Sequence, residues 1–455
     1  MGFKEKIYNI SPIFLQNILV SVSGYFKNKE RYGSTYYEHL TFLRKFDTLK
    51  LEEKLEYQRT QLINFIKYAY SNSKFYKNLY KDIDLESIKS IDDLKKLPVV
   101  DKEMLRENIK DVVTIAKKGS VEGHTGGTTG KSLVVLTKKE DKMKQMAMLD
   151  HFKERVGFIH RKMRRATFNG KHIIPINQKS KKFWRYNLPC KQMIYSSFNL
   201  TEENIKHYVD SLNKFKPHAI DGFFMSICDV AHYIERHKIK LSFTPIAIFP
   251  TSETLTKSGR ELLERVFKCK VYDQYASSEL APFITECKKQ KLHVELSTGV
   301  FEKLNEESDE VLVTSFITHG TPLIRYRIGD CMSFDTSTNC ECGNSSPIVK
   351  SIKGRSLDFL YTAEGAKING GNVANLFKNL PNVLIRAQTI QEKIGEITIK
   401  LQVDKELYKK EYDEILKNEF ASKFGKNSKV TIQHVDEIPR EKSGKFKLIK
   451  NNVAS

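Results

Sequence analysis

Cysteine is scarce in this sequence: there are seven in 455 residues, an odd number. A disulfide scaffold uses a dense, even set, so this count excludes one and points to a reducing, cytoplasmic setting. Long apolar runs are missing too. The best candidate, SPIFLQNILVSVSGYF from Ser11, is interrupted by Gln16 and Asn17 and is too short to cross a bilayer. It also lacks a small-residue cleavage site after a short apolar core, so no signal peptide is expected. The sequence has no internal repeats and no low-complexity segments. Acidic residues are outnumbered, 55 against 76 Lys and Arg, for a net charge of +21. That excess suits an anionic substrate, a nucleic acid or an anionic membrane surface. The basic residues are spread along the chain, and no aromatic-interleaved basic motif stands behind nucleic-acid binding, so no nucleic acid is expected as a partner.

What remains is a globular chain, 40% hydrophobic and 29% charged, with room for two or three domains. Ser11 followed by Pro12 reads as a helix N-cap with proline in the first turn. Ile13, Phe14, Asn17, Ile18 and Val22 bias one side of that helix, which is expected to pack on the main domain; a helix lying on a membrane surface stays open. LEEKLEYQRTQLINFIKYAYSNSKFY, within a helical region over 35–90, has apolar residues at three- and four-residue spacing. From 120 to 350, apolar runs alternate with helical patterns: ENIKHYVDSLNKF and GRELLERVF read as helices, HAIDGFF and IAIFPTSE as strand ends, and DEVLVTSFI as a strand. The fold class is therefore α/β, with helices packed on largely buried sheets. After SIKGRSLDFL the pattern changes to strands over 383–403, a helix over 405–424 and a strand over 429–435. This predicts a large N-terminal domain, 1–353, with 1–100 mostly helical, and a small mobile α+β domain, 354–455, hinged near Arg355.

HTGGTTGKSLVV, His124 to Val135, carries the first chemical signal. It fails as a Walker A loop by one residue: Gly130, Lys131 and Ser132 supply the end, but Thr125 stands where the first glycine belongs. Glycines still let backbone N–H groups converge on an anion, with threonine hydroxyls and a lysine adding to them. The apolar, partly β-branched Leu133–Leu136 run reads as a strand, so the loop is expected to turn between two strands; a flexible Gly/Thr turn is the plain alternative. Four further stretches stand out. YDQYASSE, containing Ser278, sets Tyr275 and Glu279 four residues apart; a tyrosine face stacks on a base and a carboxylate holds magnesium. PLIRYRIGD ends in Gly329-Asp330, an acceptor at a tight turn. GRSLD, Gly354 to Asp358, sits at the composition break, and PREKSGKFK offers Lys445 beside Gly444.

In this order, a Gly/Thr-rich loop, an aromatic four residues before a Glu, Tyr-Arg-x-Gly-Asp, Gly-Arg at a domain boundary and Gly-Lys near the end resemble the adenylate-forming superfamily. The likeness narrows to its phenylacetate–CoA ligase branch and there to CapK-like proteins, as in FNGKHIIPINQKSKKFWRYNLPCKQMIYSSFNLTEENI and TSETLTKSGRELLERVFKCKVYDQYASSE. It covers about residues 10–450. The resemblance implies an AMP-forming ligase that uses ATP and magnesium (Mg2+) to activate a carboxylic acid, then passes the acyl group to a thiol or amine, with coenzyme A among the acceptors. CapK-type genes are associated with capsule and surface-polysaccharide loci. Carried over by residue, Thr125, Gly126, Gly127, Thr128, Thr129, Gly130 and Lys131 would hold the β- and γ-phosphates. Thr251, Ser252 and Glu253 would line the adenine pocket, Tyr275 and Ser278 would meet the nucleotide, and Glu279 would bind magnesium. Asp330 would hold the ribose, Arg355 would contact ribose or phosphate, and Lys445 would bridge the α-phosphate and the attacking carboxylate. Peripheral membrane association and a homodimer stay open.

Two departures bear on this. Leu357 replaces the first Asp of the family's frequent Gly-Arg-Ser-Asp-Asp hinge, and Gly222-Phe223-Phe224-Met225-Ser226 lacks the proline of relatives near the acid pocket. A second site comes from Cys340-x-Cys342 with Cys287 and His293: three thiolates and an imidazole make a closed, structural zinc set, against a plain reading as reduced surface thiols. CapK-like relatives show a similar pattern. Cys190, Cys228, Cys269 and Cys331 sit among apolar neighbours and read as inert core. The competing function is a catalytically silent polysaccharide-assembly protein on an adenylation fold.

Overall fold

A computed structural model describes residues 3–124, 133–175, 178–277, 279–335, 340–355, 359–369, 373, 376–377, 380–381, 383–425, 427–441 and 443–453. The chain divides into two compact units. One holds 1–24, 160–272 and 353–455; the other holds 25–159 and 273–352.

The first unit is built on a six-stranded sheet. Five strands run parallel, in the order Gln192–Ser196, Arg165–Asn169, Ala219–Phe223, Ala247–Thr251 and Lys270–Val271; Trp184–Asn187 pairs antiparallel beside Gln192–Ser196 and forms one edge. The central strands are buried on both faces, which is why HAIDGFF and IAIFPTSE read as continuous apolar runs. Helix Ile205–Phe215 buries Ile205, Tyr208, Val209 and Leu212, a three/four-residue stripe, and stops where Lys216 turns left-handed at φ 50°. Helix Lys257–Phe267 starts at Thr256, whose hydroxyl accepts from the Gly259 amide, and ends at Lys268 with φ 54°. Phe168, Tyr195, Tyr208, Ile220, Ile248 and Leu263 belong to the shared core.

The C-terminal segment makes a four-stranded sheet, ordered Lys429–His434, Glu396–Val403, Leu384–Lys393, Ile449–Asn451. Leu416, Phe420 and Phe424 of helix Glu411–Phe424 share a core with its Ile397, Ile399 and Leu401. That helix begins later than the expected 405, because Asp404 first folds a turn by accepting the Glu406 and Leu407 amides.

The second unit combines helices Ser34–Asp47, Leu51–Asn72 and Lys139–Glu154 with a seven-stranded antiparallel sheet running from Gly299–Lys303 at one edge to Gln274–Tyr275 at the other. Tyr275 and Phe301, on those two edge strands, meet with ring centroids 6.0 Å apart, so the sheet curls towards a barrel. Strands Val121–His124 and Val134–Thr137 pair antiparallel, so HTGGTTGKSLVV joins two strands of one hairpin. The loop itself, 125–132, lies outside the described residues.

One expectation needs correction. The N-terminal helix Ile13–Arg31 does pack on the protein, but by its polar side. Gln16 is buried and Arg185 donates to it at 2.6 Å, while Asn17 accepts the Tyr186 amide at 2.8 Å. Phe14, Ile18 and Val22 face solvent. The Ser11 hydroxyl donates to the Ile7 carbonyl of the preceding helix, Phe3–Ile10. The expected inert cysteines also divide: Cys190 and Cys228 are buried, but Cys269 and Cys331 are only half-buried.

Candidate active site and metal centre

Parallel α/β sheets present their ligand-binding loops at the carboxyl ends of their strands. In the first unit three such loops converge. Gly170 follows Arg165–Asn169, Gly222 closes Ala219–Phe223 with φ 126°, and Ser252 follows Ala247–Thr251 with φ 69°. A Cβ on Gly222 would lie 1.9 Å from the Phe168 carbonyl oxygen, so only glycine lets these strands approach.

The loop bearing Lys445 lies against this surface. Gly444 has φ 78°, its amide donates to the Glu441 carbonyl at 2.8 Å, and the Glu441 amide donates back to the Lys445 carbonyl at 2.9 Å, forming a tight turn that presents Lys445. Glu253 ties this turn down. Its carboxylate accepts the Phe446 amide at 2.9 Å and the Met225 amide at 2.8 Å. Burial pushes the Glu253 carboxyl above its usual range, opposed by those two amides and by the charges of Arg440 and Lys445. The two sequence-nominated residues Glu253 and Lys445 are thus brought together, with the Glu253 side chain engaged in a backbone clamp.

The same module is held by a residue that sequence reading missed. Asp229, buried on helix Phe224–Arg236, accepts from Arg386 at 2.9 Å and Arg440 at 2.6 Å. Arg386 also donates to the Leu200 and Ile438 carbonyls. One buried carboxylate serves two guanidiniums; the available signal was Arg440 in PREKSGK, five residues before Lys445.

In the second unit, the phenol of Tyr275 donates to the Asp330 carboxylate at 2.5 Å. Two positions nominated for base and ribose, 55 residues apart, therefore touch. Asp330 follows Gly329, whose φ of 79° bends strand Tyr326–Phe334. Glu279 is buried, in a turn four residues beyond Tyr275. Thr125, Gly126, Gly127, Thr128, Thr129, Gly130, Lys131, Ser278 and Leu357 lie outside the described residues, and Arg355 is described as the last residue of strand Ile348–Arg355.

The cysteine set does come together. The ligand atoms of Cys287, His293, Cys340 and Cys342 all lie within 4.8 Å of one another. Cys287 Sγ is 3.8 Å from Cys340 Sγ, and Cys342 Sγ is 3.6 Å from His293 Nε2. Tetrahedral zinc with Zn–S near 2.3 Å would set sulfurs about 3.8 Å apart. His293 Nδ1 is 2.8 Å from the Ser346 carbonyl, so this nitrogen carries the proton and Nε2 turns its lone pair to the thiols. Burial lowers the His293 pKa, favouring the neutral imidazole a metal needs. The Asn344 amide donates to Cys342 Sγ at 3.3 Å. The residues fit a structural zinc ion that would pin the turn between strands Ile284–Glu286 and Leu292–Val294 to the loop before Ile348–Arg355.

The fold is that of adenylate-forming ligases. A 2-hydroxyisobutyryl-CoA ligase in the postadenylation state, in complex with 2-HIB-AMP, matches with a TM-score of 0.73 and 15% identity over 90% of this chain and 91% of that one. The same ligase in complex with 2-HIB-AMP and CoA in its thioesterification state matches at 0.56, again with 15% identity, over 90% and 92%. The CapK C-terminal domain family matches residues 360–452. Protein CapK of Staphylococcus aureus is 38% identical over 450 residues, which is 98% of this chain and 99% of that protein. The chain belongs to the CapK family.

Proposed function

We propose that this protein is an AMP-forming, ATP-dependent ligase of the phenylacetate–CoA ligase type, acting in the cytoplasm in capsule or surface-polysaccharide synthesis. One observation carries the reading: Glu253 fastens the Lys445 turn at the carboxyl ends of the parallel strands through the Phe446 amide. A carboxylate attacking the α-phosphorus builds a crowded anionic transition state, and a lysine held there neutralises it where charge develops. Asp330 then accepts from the ribose, with Tyr275 setting its carboxylate and presenting a ring to the base. Glu279 would hold magnesium, which when bound would supply positive charge to the phosphates. Thr125–Lys131 is assigned to the β- and γ-phosphates, and Arg355 to ribose or phosphate. Pyrophosphate leaves, and a thiol or amine then attacks the acyl carbon of the acyl-adenylate, breaking its bond to the phosphate oxygen and releasing AMP. The solved ligase bound to 2-HIB-AMP and CoA supports an acyl-adenylate and admits coenzyme A as acceptor. The domain 354–455, turning near Arg355, would withdraw Lys445 for that second step. Zinc on Cys287, His293, Cys340 and Cys342 is assigned a structural role.

The test is isotope exchange between pyrophosphate and ATP across a library of carboxylic acids. Acid-dependent exchange is expected for a subset. Absence of exchange across a broad library, with ATP shown to bind, would favour a silent assembly protein on this fold.

A further inference from the structure

Helix Ile13–Arg31 is amphipathic with its sides reversed. Its polar side closes the open edge of the six-stranded sheet. Besides the Asn17 contact with the Tyr186 amide, the Ser21 hydroxyl donates to the Tyr186 carbonyl at 3.2 Å and accepts the Leu188 amide at 3.1 Å. Gly24 lets the helix reach Asn187, whose Oδ1 would lie 2.1 Å from an added Cβ. The edge strand Trp184–Asn187 thus has its free backbone groups answered by side chains of the helix. Rotating the helix to bury its apolar side would break these bonds and take Gln16, the acceptor of its Nε, from the fully buried guanidinium of Arg185. The outward face is fixed by the inward one.

That outward face is apolar. Phe14, Ile18, Val22 and Tyr25 follow a four-four-three spacing, with exposures of 67%, 51%, 47% and 53%, and Phe26 beside them is 61% exposed. Ile10 of the preceding helix is 84% exposed, and Leu188, whose amide is held by Ser21, is 64% exposed. From Phe14 to Phe26 the stripe runs about 18 Å along this 19-residue helix. Its C-terminal end carries Lys27, Lys29 and Arg31 against a single acid, Glu30; Lys29 falls within the apolar arc, and Lys6 and Lys191 are exposed nearby in sequence or turn.

We propose that this face is a membrane-binding surface that lies in the interface of an anionic bilayer, with Phe14, Ile18, Val22, Tyr25 and Phe26 at the acyl boundary and the lysines on headgroup phosphates. Charge selects this occupant. A +21 chain is drawn to an anionic surface, whereas a second copy would bring equal positive charge against the same lysines. Apolar burial and headgroup attraction then act together, the requirement for stable but reversible association.

Full-length protein should sediment with phosphatidylcholine–phosphatidylglycerol vesicles and stay in the supernatant with phosphatidylcholine alone, and salt should weaken the binding. The triple variant Phe14→Ser, Ile18→Ser, Val22→Ser should lose about a hundredfold in vesicle partitioning, since three apolar side chains then leave the interface. Its thermal midpoint should match the parent, because these side chains are exposed. If that variant fails to fold, Lys27→Glu with Lys29→Glu should lose anionic-vesicle binding with the fold intact. Failure of the parent to bind anionic vesicles, or undiminished binding by both variants, overturns the proposal. So does a concentration-dependent dimer abolished by the triple variant, which would assign the face to a second copy.

Discussion

Gly170 and Gly444 hold two backbones in contact. A Cβ on Gly170 would fall 1.9 Å from the Ser443 carbonyl oxygen, and one on Gly444 would fall 2.7 Å from the Gly170 Cα. Neither neighbour is a flexible side-chain tip, so the Lys445 turn seats on the loop after Arg165–Asn169 only if both positions are glycine. Gly170→Ala should unseat the turn, costing about 1–3 kcal/mol of docking. Pyrophosphate–ATP exchange should then fall roughly tenfold or more while the thermal midpoint of the large domain barely moves. Full exchange in Gly170→Ala would separate this docked arrangement from adenylation.

Asp229 should hold the C-terminal module more strongly than any exposed ion pair. Removing it leaves Arg386 and Arg440 buried without their carboxylate, which costs about 3–5 kcal/mol. Asp229→Ala should therefore expose the segment around Lys445 to limited proteolysis at protease levels the parent resists. Equal cleavage of the two proteins would show that Asp229 does not secure the module.

The metal centre predicts about one zinc per chain, with Zn–S distances near 2.3 Å by X-ray absorption. Cys340→Ser should lower zinc content and the thermal midpoint together, since structural zinc contributes folding free energy. A zinc-free preparation as stable as a zinc-supplemented one would leave four residues clustered without a metal.

His39 makes the second unit acid-sensitive. Burial, then the positive Lys144 and His151, push its pKa down to about 4. The unfolded chain takes up the proton near 6.5, so stability is full above that pH and falls as pH drops from about 6.5 to 4, then levels. The loss is on the order of 3 kcal/mol. His39→Phe, which keeps a ring against Phe42, should flatten the thermal midpoint between pH 7 and 5. An unchanged slope would place the acid sensitivity elsewhere.

Periodicity exposed much of this fold. Ile205, Tyr208, Val209 and Leu212 announced a helix, and the doubly buried strands before Gly222 and Ser252 read as apolar runs. The cysteine spacing carried its own signal, because thiolates and imidazole at turns have few other uses. Hidden features were those that depend on distant partners. Asp229 looks like any acid on a helix until Arg386, 157 residues on, donates to it. The N-terminal helix misled for a related reason: an apolar stripe normally points inward, but the unpaired edge of Trp184–Asn187 attracts the polar side of the helix more strongly. Sequence pattern shows a stripe; only the partner decides which way it faces.

The central claim is that Lys445, held by Glu253 beside it, drives acyl-adenylate formation. Acid-dependent pyrophosphate–ATP exchange, compared between the parent and a folded Lys445→Ala variant, tests it most directly. Loss of a charge aimed at the transition state should slow exchange about a hundredfold, near 3 kcal/mol, without lowering the thermal midpoint. Exchange at the parental rate in that variant would contradict the account.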